Sequence, residues 1–241
     1  MELKLVVPTS LDEITLEQYQ RFARIEGEGE FKQMKMLEIF CGVPFSDLPN
    51  VRLVDAVNVL QQLTKTLSEK PGLTKFFELN EVKYGFIPAL NEISLGEFVD
   101  LDSYLSDWAT MHRAMAVLYR PVVKEKGERY DIEKYEATDE RDELMKQMPA
   151  SVVLGALVFF LSFRERIGSA YPALFGERTE NPYTREAQFG QRWGWYQSIY
   201  ALAQGDVLKF GDVTKLPINQ ALTYLTFEKE KNDIEISMIK K

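Results

Sequence analysis

The 241-residue chain contains one cysteine and one histidine. No internal disulfide is therefore possible, and a cysteine-rich zinc site is excluded. A Cys–His nucleophile pair would have to join Cys41 to His112, and no spacing supports it. Cys41 sits in MLEIFCGVP, the apolar end of an expected helix, and reads as a small buried hydrophobe. Excess positive charge is missing as well. With 29 Lys and Arg against 37 Asp and Glu, the net charge is −8. This argues against the wide basic surface that a phosphate backbone requires, and against adhesion to anionic membranes. There is no Walker loop, no GxGxxG and no GxSxG. The start, MELKLVVPTS, lacks the basic and apolar regions of a signal peptide, which points to a reducing cytosol. Long apolar runs are absent too. PASVVLGALVFFLSF (149–163) has an uncharged core of about 14 residues, short of the ~20 that a spanning helix needs. It reads as a helix buried on most sides.

What is present is ordinary globular material, 45% hydrophobic and 27% charged, with length for one large or two modest domains around a real core. ELKLVVP alternates and predicts a strand ended by Pro8. Thr15 and Gln18 form a capping-box pattern that starts a helix near Leu16, with Leu16, Tyr19, Phe22 and Ala23 on one face. Helices are predicted over 30–41, stopped by Gly42 and Pro44, and over 51–68. In the latter, Val54, Val57, Leu60, Leu63 or Thr64, and Leu67 form the inward face. LTKFFELNEVKYGFIP predicts a β-hairpin about Asn80-Glu81. One or two helices end before Pro121. VKEKGERYDIEKYEATDERDELMKQ is charged and reads as an exposed linker or arm, with a short strand within 129–135. Met148-Pro149 opens the apolar helix. A helix over 186–203 closes at Gln204-Gly205, a short helix or turn covers 206–213, and a last helix runs from Pro217 to about residue 233. The fold class expected is α+β, mostly α-helical, with a small antiparallel sheet (N-terminal strand plus hairpin) packed against a helical bundle. The divisions expected are 1–123, a charged segment 124–147, and a helical part 148–241.

The sequence also repeats itself. LDEITLEQY (11–19) aligns with LNEISLGEF (90–98), each copy following an apolar strand ended by proline, Pro8 or Pro88. Each sets a hydroxyl, Thr15 or Ser94, where a helix N-cap belongs. The reading is a repeated strand–turn–helix lead-in, too short for a solenoid array.

Candidate chemistry is sparse. His112 with Asp107 and Arg113 could act as base, orienter and anion clamp. Helical neighbours lie three and four apart, whereas His112 and Asp107 differ by five. His112 instead shares a face with Trp108, Met115, Ala116 and Tyr119, which favours packing. Asp100 and Asp102 resemble half of a calcium loop without its glycine and distal glutamate. The acids 136–143 read as a solvated surface. No catalytic, metal or cofactor residue is therefore assigned. RWGWYQSIYAL (192–202) concentrates aromatics, and Trp193, Trp195, Tyr196 and Tyr200 are the candidate partner interface. Core packing is the first reading of these residues, a partner interface the second, and ligand stacking the last.

Two stretches carry a family look. One is YGFIPALNEISLGEFVDLDSYLSDWATMHRAMAVLYRPV with MPASVVLGALVFF, and the other is RWGWYQSIYALAQGDVLKFGDVTKLPINQALTYLTFEKEK. Together they resemble a group of tailed-bacteriophage proteins. The closing helix pair resembles tail assembly chaperones. The resemblance implies a non-enzymatic assembly factor, without cofactor, that keeps the tape-measure protein soluble and helps recruit tail-tube subunits in the host-cell cytoplasm. The eight methionines suit an adaptable apolar surface or gap-filling in the core. A purely helical chaperone would not need the N-terminal β portion. The alternative is therefore a virion component contacting portal or tail proteins, such as a head–tail connector or baseplate part. Neither reading involves nucleic acid or a membrane, and both leave homo-oligomerisation open.

Overall fold

The computed structural model describes residues 5–176 and 184–239, apart from the side chain of Glu186. Helices α1 (Leu16–Ala23), α2 (Glu30–Cys41) and α3 (Leu53–Leu67) come first, followed by the hairpin β1 (Phe76–Leu79) and β2 (Val82–Phe86). Next are α4 (Leu95–Tyr104), α5 (Met111–Leu118), β3 (Tyr119–Lys126), β4 (Arg129–Ile132) and α6 (Asp139–Met145). The remainder is helical: α7 (Ala150–Ala170), α8 (Pro172–Phe175), α9 (Arg185–Trp193), α10 (Trp195–Leu202), α11 (Phe210–Val213) and α12 (Ile218–Ile239). The fold is thus α+β and mostly α-helical, with one small antiparallel sheet.

The chain divides into two compact units, and neither is continuous in sequence. The first comprises residues 1–88 and 104–159, and the second 89–103 and 160–241. The long helix α7 gives its first half to one and its second half to the other.

In the first unit the sheet order is β1-β2-β3-β4, antiparallel throughout. Asn80 and Glu81 both take positive φ (49° and 64°), the geometry of a two-residue turn whose twist suits a hairpin. The sheet's further strands come from 119–132, not from the N-terminus: β4 falls within 129–135, where a short strand is expected, and β3 was not expected. Residues 5–8 form no strand, and 1–4 lie outside the described residues. The charged stretch 124–147 is not a linker but the end of β3, all of β4, and α6. β3 bulges between Val122 and Lys124, and Lys83 meets Glu125 across the β2–β3 pair at 2.7 Å. Gly85 is required by packing, because a Cβ there would stand 2.8 Å from the Tyr130 ring. The Tyr130 hydroxyl donates to the Phe86 carbonyl at 2.6 Å. The core of this unit gathers Leu11, Ile14, Leu37, Phe40, Cys41 and Leu63. On α3 the inward face is Leu63 and Thr66, while Val54 is 70% exposed and Val57 is exposed as well. The expected inward face therefore holds only in the second half of that helix. The first half of α7 is buried on most sides, with no exposed residue from Ala150 to Leu157, whereas farther along Phe160 and Phe163 are covered but Val158, Phe159 and Leu161 are exposed.

The repeated lead-ins fold alike. Each begins with a short 3₁₀ turn, Leu11–Glu13 or Leu90–Glu92. Each then closes a reciprocal cap. Gln18 N–H donates to the Thr15 hydroxyl, and the Gln18 side chain accepts from Thr15 N–H. Glu97 and Ser94 do the same in the second unit. Each lead-in is then pinned by a distant X-Pro segment. Leu16 N–H donates to the Met148 carbonyl, Glu17 to Lys146, and Ala150 back to Ile14. The second set matches position for position: Leu95 to Leu216, Gly96 to Thr214, and Ile218 to Ile93. Thr15 bridges Pro149 and Ser94 bridges Pro217. Proline suits both places, since it begins a helix whose first amides have no intrahelical partner.

Candidate functional site

The aromatic stretch belongs to the second unit. It is not one helix. Gly194 takes φ 39°, ψ −126°, a conformation open essentially to glycine alone, and separates α9 from α10. Trp193, Tyr196 and Tyr200 are exposed. Trp193 and Tyr196 belong to a ladder of ring contacts: Phe189 to Trp193 at 6.3 Å, Trp193 to Tyr196 at 5.4 Å, and Tyr196 to Phe210 at 5.5 Å. The Arg192 guanidinium lies 5.4 Å over Trp193. Val207 is exposed and Leu208 is 89% exposed. Uncovered aromatic and aliphatic surface of this kind is what binding surfaces are made of. Tyr200 also packs its hydroxyl over the Gly205 turn.

Trp195 does not join this ladder. Its ring packs on Phe98 at 5.6 Å and Phe175 at 6.1 Å, and its indole N–H donates to the Asp102 carboxylate at 2.9 Å. The other Asp102 oxygen takes Arg164 Nε at 2.6 Å. Trp195 thereby lines a groove of about 1090 Å³ among Phe98, Ile167, Phe175, Leu222 and Leu225. The four candidates are thus split: Trp193 and Tyr196 in an exposed ladder, Trp195 in a groove, and Tyr200 exposed apart from both. Gly194 decides the split, because it breaks the helix between Trp193 and Trp195 and no single helical spacing spans them. Asp102, which in the sequence suggests only half of a calcium loop, is a helical residue of α4 holding Trp195 and Arg164.

The histidine lies in the first unit and is 6% exposed. The Gln20 amide nitrogen lies 3.1 Å from Nδ1 and donates to it, an arrangement that suits a neutral ring with its proton on Nε2. Nε2 faces Glu143 at 3.8 Å. Burial first, then the nearby Lys146 charge, holds the His112 pKa below its ordinary value. Asp107 accepts from Ala109 N–H as a cap, and Arg113 reaches Asp142 at 3.7 Å. These three residues are thus drawn to separate partners. Burial pushes the Cys41 thiol up to about 11 and suppresses its thiolate.

Among the described residues no group of three or more His, Cys, Asp or Glu is placed to hold a metal ion. No helix there is long and apolar enough to cross a membrane. No protein-family model, curated protein or solved structure matches this chain.

Proposed function

We propose that this chain is a non-enzymatic bacteriophage assembly protein, a tail assembly chaperone that binds hydrophobic segments of tape-measure or tail-tube proteins. The observation that carries the reading is the ladder Phe189–Trp193–Tyr196–Phe210, exposed at its first three rings, with Val207 and Leu208 exposed in the same unit. Rigid aromatic side chains bury large area at low entropic cost when a partner covers them. The resemblance of 84–122, 148–160 and 192–231 to tailed-phage proteins supplies the biological setting. The net charge of −8 keeps such a surface in solution.

The test is mass spectrometry of purified phage particles beside the infected-cell lysate. A chaperone is abundant in the lysate and missing from particles. Presence in particles at a fixed ratio to portal or tail proteins overturns this reading and establishes a connector, tail or baseplate component in its place. Trp193→Ala with Tyr196→Ala should lower tail yield while the protein stays folded, at a loss of about 1–3 kcal/mol from the ring contacts that the two side chains make.

A further inference from the structure

The groove of the second unit is distinct from the ladder and carries its own charge pattern. Its floor is apolar, with Phe98, Ile167, Trp195, Leu222 and Leu225. Its charged lining comprises the acids Asp102, Glu165, Glu228 and Asp233 and the bases Arg164 and Lys229. Both bases are engaged within the unit. Arg164 is held by Asp102 at 2.6 Å, and the Lys229 ammonium donates to the Ala173 carbonyl. Glu228 faces Lys231 at 3.9 Å. Glu165 and Asp233 make no ion pair among the described residues, and both are exposed. The groove therefore pairs an apolar floor with unneutralised carboxylates at its edge.

We propose that this groove receives one amphipathic helix of a partner protein, with bulky apolar residues facing the floor and Lys or Arg along its flanks. The proposal deepens the assembly reading and rests on it for the existence of a partner. A helix is favoured over an extended segment by the walls. The lining comes from α4, α7, α8, α10 and α12, and no sheet edge is available. An extended peptide would bury backbone amides without partners, whereas a helix satisfies its own. A second copy of this chain fits poorly, because charge opposes it. The chain carries −8 overall. Two copies carrying that charge repel one another.

The experiment uses the full chain and two labelled peptides of about 18 residues, long enough to hold a helix. Both carry Leu and Phe on one face, and they differ only in Lys or Glu flanks. Fluorescence anisotropy should give the Lys peptide an affinity about tenfold above the Glu peptide, with the gap narrowing as salt is raised. Glu165→Lys with Asp233→Lys should reverse that preference. Ala201→Trp, at an exposed lining position, should fill the groove and abolish binding of both peptides while far-ultraviolet circular dichroism stays unchanged. Equal binding of the two peptides, no binding of either, or binding that survives Ala201→Trp overturns the proposal. That failure leaves the assembly reading standing if the protein is still missing from particles. Retention in particles alongside intact charge-selective binding overturns the assembly reading alone.

Discussion

The two units begin a helix in the same way and then treat its surroundings differently. In the first, α1 is covered by its own sequel: Phe22 on α1 meets Phe40 on α2 at 5.2 Å, and Leu37, Cys41 and Leu63 close the core around Ile14. In the second, α4 ends at Tyr104 and the chain passes back to residues of the first unit. In place of such a sequel, α4 has a ring of separate helices. They bury Leu95, Phe98, Leu101 and Phe160, but leave the groove and the aromatic ladder open. The pinned lead-in is thus sufficient to start each unit. The helices that come after the lead-in decide what is covered around it: in the first unit they close over Ile14 while Phe31, Phe45, Leu53 and Val54 stay exposed farther off, and in the second they leave the groove beside α4 itself.

The strongest way to break the comparison is to empty the same position in both copies. Ile14 and Ile93 are almost wholly buried. Ile14→Ala and Ile93→Ala should each lose about 2–5 kcal/mol by denaturant unfolding. Hydrogen exchange should place each loss in its own unit, and equal deprotection of both by either variant would end the description of two separable cores. Next comes the sheet, which only the first unit has. Gly85→Ala forces a methyl against Tyr130, Val122 and Ile132 and should lose about 1–3 kcal/mol in thermal melts. A loss within error would show that the sheet yields freely.

The caps sharpen the comparison at smaller scale. Thr15→Ala and Ser94→Ala should each lose about 1 kcal/mol. The Ser94 loss should be the larger and the more salt-sensitive, because its partner Glu97 is a carboxylate where Gln18 is neutral. Equal losses at low and high salt would remove that distinction. The smallest effect is the pH dependence of the first unit. The folded His112 pKa lies below the ordinary 6.5, so the unfolded chain binds the proton more tightly in that window. Stability from this residue is present above about pH 6.5 and is lost as pH falls toward the folded value. Melts of wild type and His112→Gln should therefore converge in acid and separate near neutrality, and parallel curves would contradict the assignment.

Local signals in the sequence were reliable where local chemistry decides. The capping pair Thr15–Gln18, the Gly42 stop, the Asn80-Glu81 turn and the turn–helix part of the lead-in repeat hold in the structure, whereas the strand expected before Pro8 does not form over residues 5–8. What escaped was set by distant partners. Nothing near Thr15 names Met148-Pro149, and nothing near Ser94 names Leu216-Pro217, although the two dipeptides are themselves alike. The strand β3 was hidden because α5 runs into it without a break at Leu118–Tyr119. The charged stretch resembles a linker because its strand and helix expose one side each, so polarity concealed the packed Tyr130 and Met145. On α3, periodicity gave a stripe but not its extent, since apolar spacing marks a face and only a neighbour decides how much of it is covered. The same limit applied to the aromatic stretch, where counting rings grouped Trp195 with residues that face elsewhere.

The two lead-ins are interleaved along the chain: 15 with 149 and 94 with 217. During synthesis this order has a consequence. When Met148-Pro149 leaves the ribosome, both lead-ins are already out, while Leu216-Pro217 is not yet made. Pro149 then has two near-identical suitors, and Ser94 is the nearer in sequence, so the wrong closure carries a loop entropy advantage of about 0.8 kcal/mol. The native pairing has to win through the packing around Ile14 and Ala150, and cross-linking of ribosome-bound chains would read the contest as a transient proximity of residues 94 and 149. Similarity between the copies thus makes the native chain easy to recognise and the nascent chain easy to misroute.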